Sequence, residues 1–168
     1  GAYARGGATL LVDEWLVHDG LAIYASDDST GGSPRVISAG PGAQIELIVV
    51  HGISLPPGQF GGEWVDRFFC NDLPADADPY FATVADLRVS AHLLVRRDGS
   101  VVQYVPFQRR AWHAGASQWR GRERCNDFSI GIELEGTGER RYTDAQYRVL
   151  ATLTRALAAR WPLRWLAG

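Results

Sequence analysis

An α+β or α/β domain is predicted by three features of the sequence. They are an apolar run that ends in a histidine, a pair of alternating segments joined by a tight turn, and a long capped amphipathic stretch near the carboxyl end. Each carries its own periodicity, 2 for a strand and 3.6 for a helix, and together they place strands near 45–51, 89–96, 101–105 and 128–134 and a helix over 143–161.

Residues 1–44 read as a lead-in segment. Within it Leu10-Leu11-Val12-Asp13-Glu14-Trp15-Leu16 suits a short helix or strand, and His18 reads as a solvated histidine. The stretch from Asp27 to Gly42 is rich in Asp, Ser, Gly and Pro and reads as loop. Ile45-Glu46-Leu47-Ile48-Val49-Val50 is then a buried strand that carries His51 to its carboxyl end, where Gly52, Pro56, Pro57 and Gly58 open a loop able to wall a cleft. A histidine so placed can ligate a metal, move protons or simply cap a core edge.

Glu63 to Phe69 suits a short amphipathic helix with Trp64 and Phe68 one turn apart on one face. Asp72 to Pro79 is turn-rich. Val89, Ala91, Leu93 and Val95 alternate with Ser90, His92, Leu94 and Arg96, Asp98-Gly99 supplies a turn, and Val101 to Val105 returns as the partner strand. His92 falls on the less apolar face of this hairpin and suits either a site or a satisfied sheet histidine. In Ala111-Trp112-His113-Ala114-Gly115 the small residues leave room for close approach of a ligand, or pack a turn around Trp112. Ile130, Ile132 and Leu134 alternate with Gly131, Glu133 and Glu135, so a glycine stands on the same face as the Glu133 carboxylate. Thr143-Asp144-Ala145-Gln146 matches a capping box that opens the long helix, which Pro162 stops.

The chain of 168 residues suits one domain with a sizeable core and shows no internal repeat. Its net charge is −2 and arginine carries the positive charge, so no electrostatic footprint for nucleic acid is present. No apolar run reaches the roughly 20 residues that a membrane-crossing helix requires. Cys70 and Cys125 make no disulfide framework and suit two reduced thiols, with a single bridge as the alternative, and no signal peptide opens the sequence at Gly1. His51, His113 and Glu133 can converge at one sheet edge, and histidines with one free carboxylate suit zinc hydrolysis.

Seven blocks, in order and collinear from about residue 45 to 162, resemble the AmpD-type N-acetylmuramoyl-L-alanine amidases. The first is His51-Gly52-Ile53-Ser54-Leu55-Pro56-Pro57-Gly58-Gln59-Phe60-Gly61-Gly62. Leu87-Arg88-Val89-Ser90-Ala91-His92, Arg96-Arg97-Asp98-Gly99, Val102-Gln103-Tyr104-Val105-Pro106-Phe107 and Ala111-Trp112-His113-Ala114-Gly115 follow. The longest runs from Gly121 to Thr137, and Tyr142 to Tyr147 continues it.

The resemblance implies a single amidase domain over 1–168, with a central mixed β-sheet flanked by helices, related to peptidoglycan-recognition domains. It implies a zinc-dependent hydrolase that cleaves the amide between the lactyl group of N-acetylmuramic acid, in its 1,6-anhydro form, and L-alanine. The enzyme would act on a small muropeptide as a cytoplasmic monomer in cell-wall recycling, with no nucleic-acid or membrane partner. By position, His51 matches the first zinc ligand and Glu133 the carboxylate that positions and deprotonates the attacking water. Arg88 and Arg124 match positions near the stem-peptide groove, Trp112 and His113 match its wall, and His92 is not a ligand in the pattern. Gly52 stands where close relatives are expected to carry asparagine.

The family's other ligands, a histidine and an aspartate, and a lysine that helps hold the oxyanion, follow the long helix. Trp165-Leu166-Ala167-Gly168 corresponds to the residues just before that histidine, so the C-terminal part of the domain is expected after residue 168, and the 168-residue chain alone is expected to have little or no activity. The competing expectation is a non-catalytic muropeptide-binding module, or an inactive fragment of such an amidase. It would need the arginines but neither Glu133 nor zinc.

Overall fold

A computed structural model of the chain describes residues 44–168, together with the backbone of four short strands before them. Those are β1 (Leu10–Val12), β2 (Trp15–Val17), β3 (Leu21–Ile23) and β4 (Ser33–Pro34). There follow β5 (Leu47–Ile53), α1 (Trp64–Phe69), α2 (Phe81–Val84), β6 (Leu93–Val95), β7 (Val101–Gln103) and β8 (Arg109–Arg110). β9 (Gln118–Trp119), β10 (Arg122–Glu123), β11 (Ser129–Glu135), α3 (Asp144–Arg160) and β12 (Trp165–Ala167) complete the order. Thus 10–16 is mainly strand, and the loop expected at 27–42 contains β4, which pairs with β8. The reading of His18 lies outside the described residues.

The central sheet has six strands in the order β12-β5-β11-β6-β7-β3. β12, β5, β11 and β6 run parallel, β6 and β7 form an antiparallel hairpin, and β3 runs parallel to β7. This is the mixed sheet expected.

β5 and β11 exist because both are β-branched, apolar runs, and both faces of the sheet are covered. On one face Ile48, Ile130, Ile132, Leu134, Leu93 and Val95 pack beneath Leu153 and Leu157 of α3. On the other, Leu94, Val102 and Tyr104 meet Val65, Phe68 and Phe69 of α1 and Phe81 of α2. Trp64 packs against the same cluster, as the one-turn spacing predicts. Covering both faces buries all seven residues of β11, Glu133 and Glu135 included. It also buries both faces of the hairpin, the less apolar one included. Leu93, Leu94 and Val95 are all buried, and His92 is fully buried.

The capping box forms as predicted. Thr143 Oγ1 accepts from the Gln146 amide at 3.1 Å, and Gln146 Oε1 accepts from the Thr143 amide at 3.0 Å. Gln146 then sends its own amide nitrogen to the carbonyls of Val95 and Glu135, which ties the first turn of α3 to two strand ends. The turn at Asp98-Gly99 is also present, with Gly99 at φ +89°. β12 carries no sequence signal beyond three apolar residues and forms because the edge of β5 is open to it. Among the described residues no helix is long and apolar enough to cross a membrane.

Candidate active site

β5 and β11 are in exact parallel register, with Glu133 beside His51 and Gly131 beside Val49. Period-2 alternation therefore lays Ser129, Gly131, Glu133 and Glu135 of β11 on the same face as His51 and Ile53 of β5. This face, at the carboxyl ends of the parallel strands, is where open α/β sheets usually place their ligands.

The loop that follows β8 brings His113 onto this face. A Cβ at Gly131 would run into the imidazole of His113, so the glycine that the sequence placed beside Glu133 makes room for His113 itself. Asn126 Oδ1 accepts from the amides of His113 and Ala114 at 3.2 and 3.0 Å and holds this loop. His113 Nδ1 lies 3.0 Å from His51 Nε2, and His113 Nε2 lies 3.1 Å from Ser129 Oγ. Ala at position 131 should displace the ring or strain the sheet, at about 1–3 kcal/mol for overpacking. Gly131→Ala is thus expected to lower the denaturation midpoint in urea, and an unchanged midpoint would show that the ring yields freely.

Glu133 is 8% exposed, and its Oε2 is buried without a hydrogen-bond partner among the described residues. Burial raises its carboxyl from the ordinary 4.5 to about 7. Burial also lowers the pKa of His51, which keeps the imidazole neutral and its lone pair available. A neutral histidine next to a carboxyl poised near neutrality is a pair that can hold a metal and move a proton.

A cleft of about 490 Å³ opens over this face, and Arg88, Ser90, Trp112, His113, Asn126 and Glu133 are among its lining residues. It thus gathers four of the six residues singled out in the sequence, Arg88, Trp112, His113 and Glu133, and His51 joins them through His113. Arg124 does not join them. It lies in a separate depression with Ser117, Gln118 and Glu123, in a left-handed backbone conformation, and pairs with Asp127 at 3.2 Å.

His92 is excluded as a ligand by its own partners. Its Nδ1 accepts from the Gly131 amide at 3.0 Å and its Nε2 donates to the Arg109 carbonyl at 2.8 Å, so it is the satisfied sheet histidine. Gly52 faces Tyr142, whose hydroxyl occupies the space that a side chain would take.

Three supporting residues escaped the sequence reading. Ser129 and Glu135 share the parity of Glu133 in the strand and could have been found from it, whereas Asn126 carries no signal of its own. Glu135 accepts from the amides of Gly61 and Arg97 and pins the Gly/Pro loop to the hairpin turn. Among the described residues no group of three His, Cys, Asp or Glu side chains is placed to hold a metal ion.

Comparison with known proteins agrees with this geometry. Residues 41–167 match the family described as N-acetylmuramoyl-L-alanine amidase (Amidase_2). The 1,6-anhydro-N-acetylmuramyl-L-alanine amidase AmpD of Salmonella typhimurium (strain SL1344) is 66% identical over 116 residues, which are 69% of this chain and 62% of that protein. The chain therefore spans less than two thirds of this curated relative's length. A crystal structure of the selenomethionine derivative of AmpD superposes with a TM-score of 0.85 at 51% identity, over 94% of this chain and 85% of that one. The Drosophila peptidoglycan recognition protein SA shares the fold at 19% identity and a TM-score of 0.54, over 83% of this chain and 73% of that one. With a family match over most of its length and a buried carboxyl and histidine pair at the expected sheet edge, the chain belongs to the N-acetylmuramoyl-L-alanine amidase family.

Proposed function

We propose that this chain is the larger part of a zinc-dependent amidase that hydrolyses the bond between the lactyl group of 1,6-anhydro-N-acetylmuramic acid and L-alanine, in cell-wall recycling. The observation that carries the reading is the juxtaposition of neutral His51 and the buried Glu133, whose Oε2 has no partner among the described residues. An unpartnered buried carboxyl oxygen costs folding free energy, and a role toward water or substrate accounts for its retention.

His51 supplies one zinc ligand. β12 supports a further ligand beyond Gly168, because it runs parallel to β5 with Ala167 beside Val49. Continued in that register, the residue after Gly168 would stand beside His51. A bound zinc supplies a water acidic enough to ionise near neutral pH and polarises the scissile carbonyl. Glu133 orients the attacking water, takes its proton and passes a proton to the departing alanine nitrogen, for which a carboxyl pKa near neutrality is well matched. The apolar walls of the cleft keep bulk water from Glu133, and Arg88 offers a forked donor to a stem-peptide carboxylate.

The reading includes a cytoplasmic location, a monomeric state and no membrane partner, which fractionation and light scattering would test. The test of the chemistry is to read the coding sequence past Gly168 and assay the encoded protein on an anhydro-muropeptide. Release of free peptide that chelation abolishes and zinc restores is the expected result. A protein that binds the muropeptide and cleaves nothing would favour the non-catalytic binding module.

The arginines separate by position. Arg88→Ala is expected to raise KM by about 10–100-fold with kcat little changed, as loss of a charged hydrogen bond predicts. Arg124→Ala should raise KM less, because its side chain is 71% exposed and already paired with Asp127. Equal effects in steady-state kinetics would return Arg124 to the groove.

A further inference from the structure

We propose that His113 and Ser129 form a positioning relay that fixes the tautomer of His51, so that Nδ1 of His51 is the atom presented to a divalent cation. The inference deepens the zinc reading of His51 and rests on it for the identity of the cation.

The direction of each hydrogen bond follows from the far end of the chain. Ser129 is fully buried, and its single hydroxyl proton goes to the Cys125 carbonyl at 2.6 Å, an oxygen that can only accept. Ser129 Oγ therefore meets His113 Nε2, at 3.1 Å, as an acceptor, and His113 carries its proton on Nε2. In a neutral imidazole the other nitrogen is then an acceptor. His113 Nδ1, 3.0 Å from His51 Nε2, accepts the proton of His51. With its proton on Nε2, His51 has its lone pair on Nδ1. One backbone carbonyl thus sets two tautomers in series. Gly131 is what admits the middle member, since any side chain there would occupy the place of the His113 ring.

Ligating histidines ordinarily give their second ring N–H to an acceptor that fixes the ring and raises its basicity. Here the acceptor is an imidazole, itself held by a hydroxyl. The relay assigns to His113 a role distinct from lining the cleft.

The test is long-range ¹H–¹⁵N correlation NMR of the ring nitrogens of the metal-free protein encoded by the reading frame continued past Gly168, followed by addition of zinc chloride. The expected spectrum has His51 and His113 both protonated on Nε2 and unprotonated on Nδ1. Ser129→Ala, which alters the relay at the far side of His113, should move the His51 nitrogens toward the averaged positions of an imidazole exchanging tautomers. His113→Asn should do the same, and the amide spectrum of either variant reports whether the fold is retained. Zinc should displace the His51 Nδ1 resonance in that longer wild-type protein, which carries the residues beyond Gly168. A His51 proton on Nδ1, or a His51 spectrum unmoved in both folded variants, would overturn the relay. A zinc response at His51 Nε2 would overturn the assignment of the donor atom. No zinc response at either His51 nitrogen would overturn the zinc reading of His51 while leaving the tautomer result standing, so the two failures are distinguishable.

Discussion

Glu133→Gln is expected to lower kcat by about 10²–10⁴-fold, the usual worth of a general base, and to leave the muropeptide Kd within a few-fold. Gln keeps the shape of the side chain and its place beside His51 but cannot take a proton from water. The buried oxygen that lacks a partner persists as an amide oxygen, so the change isolates proton transfer from packing. Binding should survive because the arginine and aromatic contacts of the cleft are untouched. The measurement is single-turnover hydrolysis beside calorimetric binding, in a zinc-loaded protein that cleaves the anhydro-muropeptide. Retention of kcat within a few-fold would remove Glu133 from the reaction.

The same substitution should change the pH dependence of stability in the metal-free chain. The Glu133 carboxyl stands at about 7 in the folded protein against an ordinary 4.5, and burial is the cause. The folded state therefore holds this proton over a pH range in which the unfolded chain has released it. Its contribution is fully present below about pH 4.5, declines as pH rises and is lost above about pH 7. That difference corresponds to about 3 kcal/mol. Glu133→Gln has no such proton to lose, so it should gain on the wild type by up to about 3 kcal/mol between pH 4.5 and pH 8. Urea unfolding of both proteins at each pH reads the difference directly, since the other carboxylates cancel. Parallel stability curves would mean that the carboxyl is hydrated in the folded state. The experiment belongs to the metal-free chain because a bound cation would itself lower the pKa.

Much of the structure was legible where one local pattern decided one element. The apolar run before His51, the alternation around Glu133, the Asp98-Gly99 turn and the capping box of Thr143 and Gln146 each carry their own periodicity or side-chain chemistry, and each folds as read. Short strands without such a pattern were not legible. β12 exists only because β5 offers it an edge. The burial of both faces of β6 depends on α1, α2 and α3 arriving from distant parts of the sequence.

The sequence by itself determined the residue types at the site and their parity, with Glu133 and Gly131 on one face of one strand. It also carried the collinear blocks that mark the family. Only the tertiary structure decided which of them meet. The exact register of β5 and β11 puts His51 beside Glu133, and the loop held by Asn126 lowers His113 over Gly131. The same packing takes His92 out of the site by satisfying both its nitrogens, and sets Arg124 in a depression apart from the cleft. Spacing along a chain cannot report such meetings, because they depend on hydrogen-bond register and steric fit between segments far apart in sequence.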